Sequence, residues 1–140
     1  MRVWGHFESM ETRDAYLIAG PRCIKVRSET GRITYGTQRV FEAYYVATML
    51  PDNALIVGED RYSLIAALVR LNEMIAHAGY RLLAAGLDCR FHETNFSAGT
   101  GLGNIRGYGG WFHMMDAPPY PRTSRANSAG ETLSGQIGVS

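Results

Sequence analysis

Lysine is nearly missing from this chain: of its 14 basic residues only Lys25 is not an arginine. Its basic side chains therefore offer forked guanidinium contacts to carboxylates and phosphates rather than point ammonium charges. Cysteine is also scarce, with Cys23 and Cys89 alone and no C-x-x-C pair. That leaves no cysteine cluster for zinc and predicts two free thiols turned inward to the core, with a single Cys23–Cys89 disulfide a matter for geometry to decide. No apolar run reaches the roughly 18 residues of a membrane-spanning helix. The opening residues Met1 to His6 lack a signal peptide's apolar core, so the expected location is the cytoplasm. Charge of one sign is missing too. With 14 basic and 13 acidic residues the net charge is +1, which gives no long-range pull toward nucleic acid or an anionic membrane.

What is there is a chain of 140 residues with a 46% hydrophobic share, enough to build one core without metal or disulfide staples. Residues 2–8 alternate weakly, and Ala15 to Ala19 form an apolar run ended by Gly20-Pro21. Each predicts a strand. Arg22 to Arg27 and Arg32 to Tyr35, joined by Ser28-Glu29-Thr30-Gly31, predict a hairpin. Gln38 to Leu50 fits a helix by the spacing of Val40, Phe41, Tyr44, Tyr45 and Met49. It also fits a strand by the β propensity of Tyr44 to Thr48; helix is the reading adopted. Ala54 to Val57 predicts a short buried strand.

The strongest element is a helix over about 60–78. Leu64, Leu68, Leu71 and Ile75 recur at helical spacing, Asp60 is placed to cap the first turn, and Gly79 is a natural stop. Tyr80 to Ala85 and Leu87 to His92 then read as strand, and Trp111 to Met115 closes the core. The fold class expected is α+β: a mostly antiparallel sheet of five to seven strands with the 60–78 helix packed on one face. Residues 1–116 form the single domain. Residues 117–140, rich in Pro, Gly and Ser, form an extended C-terminal arm that buries too little apolar area to fold alone.

Three constellations bear on function. The glycine-rich stretch Gly99-Thr100-Gly101-Leu102-Gly103-Asn104 resembles a phosphate loop only loosely. It lacks the lysine and the following helix that such loops need, so it predicts a hairpin connection. If 87–96 and 104–115 pair, His92, Glu93 and His113 come together with Ser97 nearby. A base, a carboxylate and a hydroxyl are ingredients of hydrolytic chemistry. None of the four histidines has metal-ligand spacing, so no metal or cofactor is expected. Finally, tyrosines, tryptophans and arginines are plentiful, and these types dominate protein–protein hot spots. Tyr108, Trp111, Arg106, Arg90 and His92, gathered around the late hairpin, are the expected partner-contacting residues.

The profile is a small single domain without a catalytic motif and with many arginines and tyrosines. In this it resembles the immunity proteins of bacterial toxin systems of the contact-dependent growth inhibition type. The resemblance is one of class and rests on no motif. It implies a tight complex with a toxic nuclease domain whose active site is occluded. Nuclease inhibitors are often acidic; this near-neutral chain suits a target without a strongly basic face. Two other readings compete: a small hydrolase built on His92, Glu93 and His113, and a phage-type assembly protein whose arm hooks a neighbour.

Overall fold

The computed structural model describes residues 5–93 and 99–119. Strands β1 (His6–Ala19), β2 (Arg22–Tyr35), β3 (Val40–Met49) and β4 (Leu55–Asp60) lead into helix α1 (Leu64–Ala76). A two-residue strand β5 (Arg81–Leu82) and a helical turn at Ala85–Leu87 follow. The last strands are β6 (Phe91–His92), β7 (Leu102–Ile105) and β8 (Tyr108–His113). The class is α+β and the pairing antiparallel throughout, but the strands divide between two sheets. One has five strands in the order β4-β3-β2-β1-β5, and a smaller one has the order β6-β7-β8.

The expected hairpin at 22–35 is a single unbroken strand. The tight turn falls earlier, where Gly20 takes a left-handed φ of 59° ahead of Pro21. The polar stretch read as a turn is interior strand because β1 and β3 flank it on both sides. Ser28 and Thr30 are buried there, and the Ser28 hydroxyl donates to the Arg13 carbonyl. Gly31 is present for close approach: a Cβ at that position would stand 2.3 Å from the Glu8 carbonyl oxygen and 2.8 Å from the Tyr45 ring. Within 38–50, residues Val40–Met49 are likewise strand. As β3 they send Val46 to the face that meets α1, while Tyr45 joins Ile33, Ala43 and Ala47 on the opposite face. A helix would leave Val46 on its polar side.

The helix is shorter than 60–78. Asp60 ends β4 and accepts from the Tyr62 and Ser63 amides at 2.9 and 3.1 Å, shaping the turn before the helix. Ser63 is the cap, its hydroxyl accepting from the Ala66 amide. At the other end Gly79 adopts φ 89°, and the Tyr80 amide reaches back to the Ile75 carbonyl, a Schellman closure. Leu64, Leu68, Leu71 and Ile75 are fully buried. Their removal from water contributes roughly 6–12 kcal/mol before entropy is subtracted. They pack with Ala15 and Leu17 of β1 and Val46 of β3, so α1 covers one face of the large sheet. Asn72 fastens the helix to β5 by accepting from the Leu82 amide at 2.9 Å. Met114 and Met115, just after β8, complete this core.

Both cysteines are exposed and free, against the expectation that they point inward. Cys23 opposes Ile18 near the far end of the β1–β2 pair, and Cys89 lies in a turn rather than in an alternating strand. The expected strands at 80–85 and 87–92 shrink to two residues each. The helical turn between them exists because the Ala85 and Gly86 amides donate to the Asp116 and Met114 carbonyls, drawing the chain away from β1.

Candidate functional site

The glycine-rich stretch is committed to internal contacts. Gly99 and Gly101 hold left-handed φ of 81° and 82°. In that conformation their amides donate to the Glu93 carboxylate, the arrangement by which a loop would otherwise receive an anion. A Cβ on Gly101 would come 2.8 Å from His113 Nε2, and one on Gly103 would come 2.5 Å from the His92 carbonyl. These glycines therefore let the loop lie flat on its neighbours. Burial still raises the Glu93 carboxyl above the usual range, and among the described residues its Oε2 has no hydrogen-bond partner.

His92, Glu93 and His113 are brought together only in part. Strand β7 lies between β6 and β8, so His92 stands opposite Asn104 and His113 opposite Leu102, two strands apart. The expected direct pairing of 87–96 with 104–115 does not place the histidines side by side. His92 is exposed, while Glu93 and His113 meet on either side of Gly101. Ser97 lies outside the described residues.

His113 is only 3% exposed, and both ring nitrogens are engaged. Nδ1 accepts from the Met115 amide at 3.1 Å, so in the neutral ring Nε2 carries the hydrogen and donates to Glu11 Oε1 at 3.0 Å. Neither nitrogen is left to take a proton from a substrate. The same cluster holds Arg13, which bridges Glu11 at 2.6 Å and Asp116 at 2.9 Å, while Asp116 also accepts from the His113 amide at 2.9 Å. This is a lock between β1 and the segment after β8. No sequence signal announces it, because its members lie 103 residues apart.

The lock has a pH signature. Burial pushes His113 below its usual value near 6.5, with the Arg13 charge adding to the effect. Below that usual value the unfolded chain binds a proton here that the folded chain refuses. Stability therefore falls as pH drops from about 6.5 toward the depressed folded value, then levels off. Glu93 acts oppositely: the folded carboxyl keeps its proton above the usual 4.5, so its contribution is lost as pH rises from there through the raised value. We expect urea midpoints of the wild-type chain to decline as pH is lowered from about 6.5. His113→Gln should remove that slope; an equal slope in the variant would contradict the assignment.

The five expected contact residues all lie on the small sheet or its turns. Trp111, on β8, is 54% exposed. Tyr108, at the start of the same strand, is exposed, and the Arg90 guanidinium sits 5.9 Å from its ring centroid. Arg90 is held in place by Asp88, with its Nε 3.1 Å from Oδ1. Exposed Arg106 occupies the β7–β8 turn, where Gly107 has φ 89°, and its amide donates to the Arg90 carbonyl. Beneath them Phe91 and Ile105 are paired and buried. Among the described residues β8 has a neighbouring strand on one side only; it carries Gly109 and Gly110, and the Gly110 carbonyl accepts from the Asn104 side chain at 3.0 Å.

No helix among the described residues is long and apolar enough to cross a membrane. They hold no cluster of three or more His, Cys, Asp or Glu side chains that suits a metal ion. The fold and site define an α+β domain with an aromatic and arginine-bearing sheet edge. Comparisons with protein-family models, with curated proteins and with solved structures return no match.

Proposed function

We propose that this chain is a protein-binding module that docks through the small sheet, and that it acts as an inhibitor that neutralises a toxin domain by covering its active site. The observation that carries the reading is Trp111, 54% exposed on the outer strand β8, with the Arg90–Tyr108 stack at the other end of that strand. Exposing a large indole to water is unfavourable, and rigid aromatics flanked by arginine are the commonest anchors of protein interfaces. Arg106 beside them suits a carboxylate on the partner, and the net charge of +1 avoids repelling a partner of either sign. The side of β8 that faces no strand among the described residues adds the means to pair with a partner's extended strand.

The resemblance to immunity proteins supplies the inhibitory part, and the state of His113 supports binding over hydrolysis. The test is capture of a stoichiometric partner by the tagged chain in its host, identified by mass spectrometry, followed by co-expression with that partner. The reading expects the partner to be toxic alone and harmless with the wild-type chain. A captured partner that is harmless on its own would remove the inhibitory role.

A further inference from the structure

Among the described residues the outer edge of β1 has a neighbouring strand only near its end. Strand β5 pairs with it at Leu17 and Ile18, and the Leu83 amide adds one bond to the Tyr16 carbonyl. The chain then leaves the edge, because the Ala85 and Gly86 amides turn to the Asp116 and Met114 carbonyls. Backbone groups alternate sides along a strand, so the outward Tyr16 carbonyl means that Asp14 and Thr12 also turn their N–H and C=O outward. Those groups continue the line that β5 begins.

An open depression of about 500 Å³ runs along this edge. Residues 11–14 and Tyr16 form one wall and residues 115–117 the other. Side chains of both parities on β1 can line one depression only if it follows the strand's edge rather than either face. Its lining is charged: the carboxylates of Glu11, Asp14 and Asp116 stand against the single guanidinium of Arg13. Met115 is buried in the core, so it offers an occupant no apolar surface. Arg13 bonds both Glu11 and Asp116, yet these two side chains stay 36% and 39% exposed. Each carboxylate oxygen has two lone pairs, so both groups can accept a further donor. Asp14 is met from the outer face of the sheet by Arg27 at 3.2 Å and Lys25 at 4.0 Å.

We infer that this edge is a second docking site, separate from β8, which takes an extended segment of a partner protein bearing lysine or arginine as a further strand beside β1. Outward Thr12 and Asp14 supply the main-chain hydrogen bonds. Alternate side chains of the added strand project to opposite faces, so one row reaches Glu11 and Asp116 while the other lies beside Thr12 and Asp14. Charge selects the occupant. An apolar strand would cover the carboxylates without offering them donors, and an acidic strand would be repelled by them. A basic strand brings charge-assisted hydrogen bonds to oxygens that still have lone pairs free. A second copy suits the edge poorly: antiparallel pairing through Thr12 and Asp14 would set Arg13 against Arg13, or Asp14 against Asp14.

The test titrates the full chain with two synthetic peptides, one alternating lysine with threonine and one alternating glutamate with threonine, and reads amide hydrogen exchange by NMR. Thr12 and Asp14 should exchange fast in the free chain. The lysine peptide at saturation should slow them by at least about 100-fold, and the glutamate peptide should leave them unchanged. Thr12→Pro removes one outward donor without touching the ladder to β2, so it should abolish the slowing. The Val46 amide, in the middle of β3, should be equally protected in wild type and variant, which shows that the variant is folded. Asp14→Lys, a change at an exposed position, should weaken binding of the lysine peptide by at least about tenfold. No slowing, or equal slowing by the two peptides, overturns the inference. Slow exchange at Thr12 and Asp14 in the free chain also overturns it, because the edge is then already covered; if that protection rises with protein concentration, the cover is a second copy. None of these results depends on the partner-binding role of β8.

Discussion

Gly58→Ala is expected to destabilise the domain by at least about 3 kcal/mol, read as a fall in the urea midpoint without a change in slope. Gly58 lies in β4 directly beneath α1. A Cβ there would stand 2.4 Å from the Ala67 carbonyl oxygen, 2.5 Å from the Leu71 amide nitrogen and 2.9 Å from Leu71 Cα. These are backbone atoms of the helix, so no rotamer change relieves the clash. The helix must lift from the sheet, and the burial of Leu68 and Leu71 is disturbed with it. Domains of this size have only about 5–15 kcal/mol in hand, so the loss is a large fraction of the total. Gly109→Ala is the matched control. Its Cβ meets nothing within 4 Å. Its effect should stay within about 0.5 kcal/mol. If the two variants unfold alike, the close seating of α1 on β4 is wrong.

Trp111→Ala is expected to weaken binding of the captured partner by at least about 30-fold, the equivalent of about 2 kcal/mol at an interface anchor. Its exposure means that the free chain loses little when the ring is removed, so the thermal midpoint should hardly move. Binding and stability then separate cleanly, which they would not for a core residue. Tyr108→Ala should weaken binding as well, because it also strips the platform on which Arg90 rests. Tyr62→Ala is the control: at 84% exposed it precedes α1 and takes no part in the small sheet. Calorimetric titration reads all three. Unchanged affinity for Trp111→Ala and Tyr108→Ala together would move the interface elsewhere.

The helix was legible in the sequence because one amphipathic period decided it, and the leucines at 64, 68 and 71 needed no tertiary help to declare a buried face. Its start was misplaced because Asp60 and Ser63 both suit a cap, and only the length of β4 decides between them. The 22–35 strand was misread because Ser28-Glu29-Thr30-Gly31 has turn chemistry. Nothing local reveals that strands on both sides will satisfy that backbone, nor that Gly31 serves a tyrosine ring. The 38–50 segment was ambiguous for a related reason: aromatic and β-branched residues fit either period, and the sheet settles the matter. Of the candidate site, Trp111 is 54% exposed although the run from Trp111 to Met115 reads as core, and the contact of Arg90 with Tyr108 is not announced by their spacing. Nor is the Glu11–His113–Arg13–Asp116 lock, since it joins the start of the chain to its last described turn. Pairing of β6 with β7 rather than β8 could not be read from two-residue strands.

The most direct test of the central claim is a hydrogen-exchange footprint of the chain with and without its captured partner. The account predicts that new protection concentrates between Leu102 and His113, with Phe91 and His92 beside it, and that α1 is unchanged. Protection confined to α1 or to the β3–β4 face, with β8 exchanging as fast in the complex as alone, would contradict it.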